Sequence, residues 1–137
     1  MPNLTGFAWP AILAKYQGII HMGSMVKVKQ ITKGTSKTYL CGEKYLQPEA
    51  YEIGIEYTDV ESAWRGNNDD TLRTARLAPL QDQGGLWSCS NKTFGSAHPG
   101  GFHMAWCDGS VSSVDYEIDL TVHQVNSSRS GDINPPK

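Results

Sequence analysis

The chain has 137 residues, 39% hydrophobic and 19% charged, which fits one domain able to bury a core without disulfides or metal being obligatory. Twelve basic against 14 acidic residues leave a net charge of −2, so the electrostatic footprint of a nucleic-acid or anionic-membrane partner is absent and neither partner is expected. Fourteen glycines and seven prolines point to a fold rich in turns and loops rather than helices.

No apolar run approaches the ~18 residues of a spanning helix, so no membrane span is expected in this chain. Met1-Pro2-Asn3-Leu4-Thr5 shows no basic region followed by an apolar one, the pattern of a signal peptide. Cys41, Cys89 and Cys107 lack Cys-x-x-Cys spacing, which argues against a thiolate zinc site. Cys41 and Cys107 read as buried thiols in strand-like runs, and a bridge through Cys89 belongs only to an exported chain.

In chain order, Thr5 to Tyr16 predicts a short helix with Pro10 in its first turn. Gly18 to Met22 is a brief extended run. Ser24 to Ile31 alternates, with Val26 and Val28 on one side and Lys27 and Lys29 on the other, the pattern of a half-buried strand. Thr32 to Ser36 is a turn in which Gly34 is free to take positive φ. Thr38 to Lys44 follows as a strand, antiparallel to the previous one, and Gly42 inside it implies a bulge or a close backbone approach.

Residues 46–92 are irregular, interrupted by Pro48, Gly54, Gly66, Pro79 and Gly84-Gly85. So long a loop in a compact domain is held by its own packing, and Tyr51, Tyr57, Trp64, Leu72, Leu77, Leu80 and Trp87 are the expected plugs. Asp108-Gly109 between alternating runs is a strong hairpin signal. A two-residue loop sets Trp106 across from Val111 and Cys107 across from Ser110, with Phe102, Met104, Trp106 and Val111 on the core face and His103, Ala105, Cys107, Ser110 and Ser112 on the other. Asp115 to Ile118 prolongs the second strand. Asp119 caps a short helix over Leu120–Asn126 whose contacts are Leu120, Val122 and Val125. Ser127 to Lys137 trails as an exposed tail. The expected fold is α+β and sheet-dominated: an antiparallel sheet of the Val26, Leu40, Met104 and Val111 strands, the Asp-Gly hairpin, the long loop region and one short C-terminal helix. The globular domain is expected over 1–131, with 132–137 as tail.

Two stretches carry more than fold. His98-Pro99-Gly100-Gly101 is a turn at the mouth of the hairpin, and nine residues separate His98 from Asp108-Gly109. Ile31-Thr32-Lys33-Gly34-Thr35-Ser36-Lys37-Thr38-Tyr39-Leu40-Cys41-Gly42-Glu43-Lys44-Tyr45 is a second distinct block. Together, in this order, they resemble the bacterial prepilin-type family named for its His-x9-Asp-Gly signature, whose first block reads ITDGTSNT-x-x-x-GEKY. The resemblance runs from about Gly18 to the C-terminus. Lys33 and Lys37 depart from it, standing where the family has Asp and Asn. The family begins with a leader, a methylation site and a long apolar helix, so the chain reads as a fragment of a longer exported protein in preference to a subunit served by another chain's helix.

His98, His103 and Asp108 are the residues from which a metal site or a His–Asp base would be built. A structural reading is preferred: Asp108 bonds amides of its own turn, and His98 bonds a backbone carbonyl or the turn carboxylate and pins the turn that leads into the hairpin. His98, Gly100, Gly101, Asp108 and Gly109, with Gly34, Thr35, Ser36, Gly42 and Glu43, are therefore motif residues of structural role, with no catalytic residue, metal ligand or cofactor assigned. Asp59, Glu61, Asp69, Asp70 and Asp82 match no calcium-loop spacing and read as solvated charge; calcium enters by resemblance alone, since some pseudopilins carry it. Gly34-Thr35-Ser36-Lys37 lacks the spacing of a phosphate loop.

The resemblance implies a non-catalytic, extracytoplasmic or cell-surface head of a type IV pilin-like or pseudopilin-like protein, in filament or secretion-associated assembly. Its partners would be other pilin-like subunits or cell-envelope components. The alternative is an extracellular solute- or polysaccharide-binding module, and a metal-dependent enzyme comes third.

Overall fold

The computed structural model describes residues 17–21, 23–54, 58–66, 68–85 and 92–133. The helix predicted over Thr5–Tyr16 lies outside the described residues, as do Tyr57, Trp87 and Cys89.

Strands β1 (Tyr39–Gly42), β2 (Leu80–Gln81), β3 (Gly95–Ser96), β4 (Phe102–Trp106) and β5 (Val111–Val114) precede helix α1 (Leu120–Ser127). β4 is the middle strand of an antiparallel sheet ordered β1-β4-β5, while β2 and β3 form a short parallel pair. The fold is α+β and sheet-dominated. Phe102 and Met104, two positions apart on β4, are both fully buried because alternate strand residues share a face. With Tyr39 and Val114 they form the core, against which Phe94, Trp106, Tyr116 and Ile118 pack.

The hairpin forms where expected, one residue out of the expected register. Phe102 pairs with Val114, Met104 with Ser112 and Ala105 with Val111. The Gly109 N–H donates to Trp106 O at 2.9 Å and the Trp106 N–H to Ser110 O at 2.8 Å, so the loop is Cys107-Asp108-Gly109. Only Gly109 of the Asp-Gly pair has positive φ, at 89°, as in a type I turn closed by a left-handed glycine. A slip of one residue exchanges the two faces of a strand. Val111 is accordingly 64% exposed, Val114 is 8% exposed, and Ser112 accepts the Trp106 indole N–H at 2.8 Å.

The alternating segment after Ser24 is not a strand. Val28–Gln30 forms a 3-10 turn, closed by Gln30 N–H to Lys27 O at 2.8 Å and by Lys27 N–H to Gln30 Oε1 at 2.7 Å. Met25 and Val28 are 83% and 74% exposed. The turn that follows this segment is tied to the end of α1, where the Lys33 N–H donates to Arg129 O at 3.1 Å and Lys33 Nζ donates to Val125 O. Alternation without a strand edge to pair with does not make a strand. Gly18–His21 is likewise bent, and Ser24 N–H donates to His21 O at 2.9 Å.

Asp119 caps α1 as predicted, accepting the Val122 N–H at 3.0 Å. The helix faces inward differently from expectation: Leu120 and Val122 are 40% and 48% exposed, and the residue fully buried is His123. Asp115 to Ile118 is a turn rather than more strand, with Ile118 N–H donating to Asp115 O at 3.2 Å. The chain past Ser127 is stapled, not trailing, as far as it is described. Ser128 is 1% exposed, and Arg129 N–H donates to Gln17 O at 2.9 Å.

Among its described residues the long loop is held by small and polar groups more than by the aromatics expected to plug it. Trp64 is 95% exposed and Tyr51 47%, whereas Ala50, Thr58 and Ala75 are buried. Asp82 accepts the Leu46 N–H at 2.9 Å and the Tyr51 hydroxyl. Lys44 pairs with Asp59 and Lys92 with Asp69. These ties take the place of hydrophobic burial that an irregular backbone presents poorly.

Candidate functional site

Glu43 lies where the chain leaves β1. Gly42 before it fits the predicted close approach: a Cβ there would stand 2.0 Å from Met104 Sδ, and the β1 register shifts between Tyr39 and Cys41. The Glu43 N–H donates to His103 O at 3.1 Å, and its carbonyl accepts the Gly95 N–H at 3.1 Å. The carboxylate turns back, so that Oε2 accepts the His103 N–H at 2.7 Å. Glu43 is thereby fixed between β3 and β4.

His98 is carried by the turn leaving β3. Its N–H donates to Ser96 Oγ at 3.1 Å, and its carbonyl accepts the Tyr116 hydroxyl at 2.8 Å. Buried Ser96 also donates its hydroxyl to Gly101 O at 3.1 Å. Gly101 brings the chain into β4 at φ 149°, so close to β5 that a Cβ would meet Val114 O at 2.4 Å. A side chain does not fit there, whereas Gly100 beside it has open space.

These two placements bring the motif blocks together. His98 Nε2 lies 3.6 Å from Glu43 Oε1, and His103 Nδ1 lies 3.2 Å from Glu43 Oε2. The imidazoles meet edge to face with centroids 5.3 Å apart. One donor atom from each of Glu43, His98 and His103 lies within 4.8 Å of the others. The side chains are 37%, 58% and 50% exposed respectively, so solvent and small ions reach all three.

Asp108 belongs to the other end of the sheet. β1 and β4 run antiparallel with Tyr39 opposite Trp106 and Gly42 opposite Met104, so the hairpin tip sits by the start of β1 and His98 by its end. The separation is about the length of β4, on the order of 15 Å at ~3.4 Å per residue. Asp108 accepts the Ser110 hydroxyl at 2.7 Å and the Ser110 N–H at 2.9 Å, and these two bonds hold its carboxyl below the usual carboxylate range. His98 and His103 therefore meet Glu43 and not Asp108, which corrects both the expected bond of His98 to the turn carboxylate and the His–Asp grouping weighed beside it. Gly34, at φ 106°, and Thr35 and Ser36, in the 3-10 turn Thr35–Lys37, likewise lie before β1, away from Glu43.

The acidic residues of the long loop bond to protein groups instead of gathering into a site. Besides Asp59, Asp69 and Asp82, Glu61 pairs with Arg65 and Asp70 accepts the Glu61 N–H. Cys41 is exposed and Cys107 half-buried, both as free thiols, so neither is the buried thiol expected. Lys33 supplies a cation to the last turn of α1, where the helix dipole favours one; burial lowers its pKa to about 8.

His123 is a core residue that no sequence motif marks. It is fully buried, its ring centroid lies 5.5, 5.7 and 5.9 Å from those of Tyr39, Phe94 and Phe102, and neither ring nitrogen has a hydrogen-bond partner among the described residues. Burial pushes its pKa down to about 4. A lone His on a weakly patterned helix carries no signal of this.

Between the hairpin and α1 an open groove of about 360 Å³ is lined by Tyr39, Trp106, Ser112, Ile118 and Asn126. No helix among the described residues is long and apolar enough to cross a membrane. The model of a family described as "Protein of unknown function (DUF1559)" matches residues 2–121, a span that takes in Glu43, His98 and His103. The chain belongs to the DUF1559 family. Nothing among the curated proteins matches it, and no solved structure does. The DUF1559 match carries no activity, but it encloses both motif blocks in one span.

Proposed function

We propose that this DUF1559 chain is the non-catalytic, extracytoplasmic head of a type IV pilin-like or pseudopilin-like protein, working in a surface filament or a secretion-associated assembly. The observation that carries the non-catalytic part is the separation of His98 from Asp108. The two ends of the His-x9-Asp-Gly signature do not form a base dyad; Asp108 tightens the hairpin tip through Ser110, and His98 sits beside Glu43 at the far end of the sheet. A signature used twice for holding the hairpin suits a scaffold. Trp64 at 95% and Met25 at 83% exposed are residue types enriched in protein interfaces, which supports packing against neighbouring subunits.

Immunogold electron microscopy of intact cells, with antibody raised to this chain, tests the reading. Label on surface fibres or the outer envelope is the expected result, and label confined to the cytoplasm overturns it. A solute- or glycan-binding module is the second reading, favoured by the groove between Tyr39 and Trp106. It predicts saturable quenching of Trp106 fluorescence by soluble oligosaccharides, abolished in Trp106→Leu.

A further inference from the structure

We propose that Glu43, His98 and His103 form a binding site for one divalent transition-metal ion, with zinc the best match. Two imidazole nitrogens and one carboxylate oxygen form a donor set for zinc and its first-row neighbours, whereas calcium and magnesium take oxygen donors. The spacing fits. Donors each ~2.0–2.1 Å from a tetrahedral zinc stand about 3.3 Å from one another; His103 Nδ1 is 3.2 Å from Glu43 Oε2 and His98 Nε2 3.6 Å from the other carboxylate oxygen, Oε1, and with one donor atom from each residue all three lie within 4.8 Å, so a small side-chain rotation completes the set.

The ligands are held before any ion arrives. The main chain of Glu43 is bonded to both β3 and β4, and Oε2 receives the His103 N–H at 2.7 Å, the kind of supporting bond that orients a metal-ligating carboxylate. His98 is clamped at its N–H by Ser96 and at its carbonyl by Tyr116. Lys44, next to Glu43 in sequence, does not compete: its Nζ bonds Thr58 O at 3.0 Å and Asp59. Exposure of the three side chains leaves the fourth position open to water or to a donor from a partner. The ion would tie the Ile31–Tyr45 block to the His98 turn at one point. This goes beyond the assembly role, which needs no ion, so either can fail without the other.

The test is a titration of the metal-free full chain with zinc, read by isothermal calorimetry and by NMR of the histidine rings. One zinc per chain is expected, moving the His98 and His103 resonances and leaving those of His21 and His123 in place, with no comparable response to calcium or magnesium. Glu43→Gln and His103→Gln should each weaken binding about 100-fold or more, since loss of even a supporting partner costs roughly 10–100-fold. Far-UV circular dichroism of the metal-free variants checks folding. Absence of zinc binding by the wild-type chain overturns the proposal and leaves an imidazole–carboxylate clamp; so does zinc binding that spares the His98 and His103 resonances, which would place the ion on the thiols.

Discussion

Glu43 and His103 hold each other by main chain and side chain at once: the Glu43 N–H donates to His103 O at 3.1 Å, and Glu43 Oε2 accepts the His103 N–H at 2.7 Å. This reciprocal pair extends the β1–β4 ladder past the last residue of β1. Hydrogen bonds to charged groups contribute about 1.5–3 kcal/mol when well shielded. Partial exposure reduces that, so Glu43→Ala should destabilise by about 1 kcal/mol in urea unfolding of the metal-free protein, and Glu43→Gln, which keeps an acceptor oxygen, by less. Equal losses in the two variants would mean that the hydrogen bond is not what Glu43 contributes.

Gly100 and Gly101 are neighbours with opposite tolerance. A Cβ on Gly101 would strike Val114 O at 2.4 Å, with φ at 149°, while one on Gly100 meets nothing within 4 Å. Gly101→Ala should destabilise by about 2–3 kcal/mol, the overpacking range, and Gly100→Ala by no more than ~0.5 kcal/mol. Thermal melts of the two single variants decide it; similar midpoints would contradict the turn geometry.

His98 and Asp108 sit at opposite ends of the hairpin, so their substitutions should behave independently. In a double-mutant cycle of His98→Ala with Asp108→Ala, the two losses add. The cycle of His98→Ala with Glu43→Ala should instead leave a coupling term. Coupling in the first cycle would restore the His–Asp pairing that the geometry rules against.

The buried imidazole of His123 predicts acid sensitivity. Its pKa falls from the ordinary 6.5 to about 4, and the rings around it, Tyr39, Phe94 and Phe102, carry no charge near neutrality. Between pH 6.5 and 4 the unfolded chain binds the proton and the folded protein does not, so stability decreases as pH falls through that window. The full loss is roughly 3 kcal/mol at 1.36 kcal/mol per pKa unit. Unfolding free energies measured from pH 7 to 4 should therefore show the wild type losing stability relative to His123→Leu as the medium is acidified, whichever of the two is the more stable at pH 7. Parallel curves would assign the acid loss to other groups.

Some of this architecture was legible along the chain because it depends on bonds spanning a few residues. Asp108-Gly109 marks a reversal since a carboxylate two residues before an N–H closes a turn locally and glycine alone takes positive φ cheaply. Gly34 and the Asp119 cap were readable for the same reason, and Gly42 announced a close approach by having no side chain. What lay beyond reach was set by contacts between distant segments. The hairpin register follows whichever slip buries Val114 with Phe102. The Val-Lys alternation after Ser24 goes unused because the chain there closes on itself as a 3-10 turn, with Gln30 N–H donating to Lys27 O. Glu43 meets His103 across sixty residues of sequence, a pairing that exists only once β1 lies against β4, and His123 becomes a core residue only when α1 turns that side inward. Local sterics specify turns and caps, while the partners of a side chain are chosen by how strands and helix pack, which no short stretch of sequence contains.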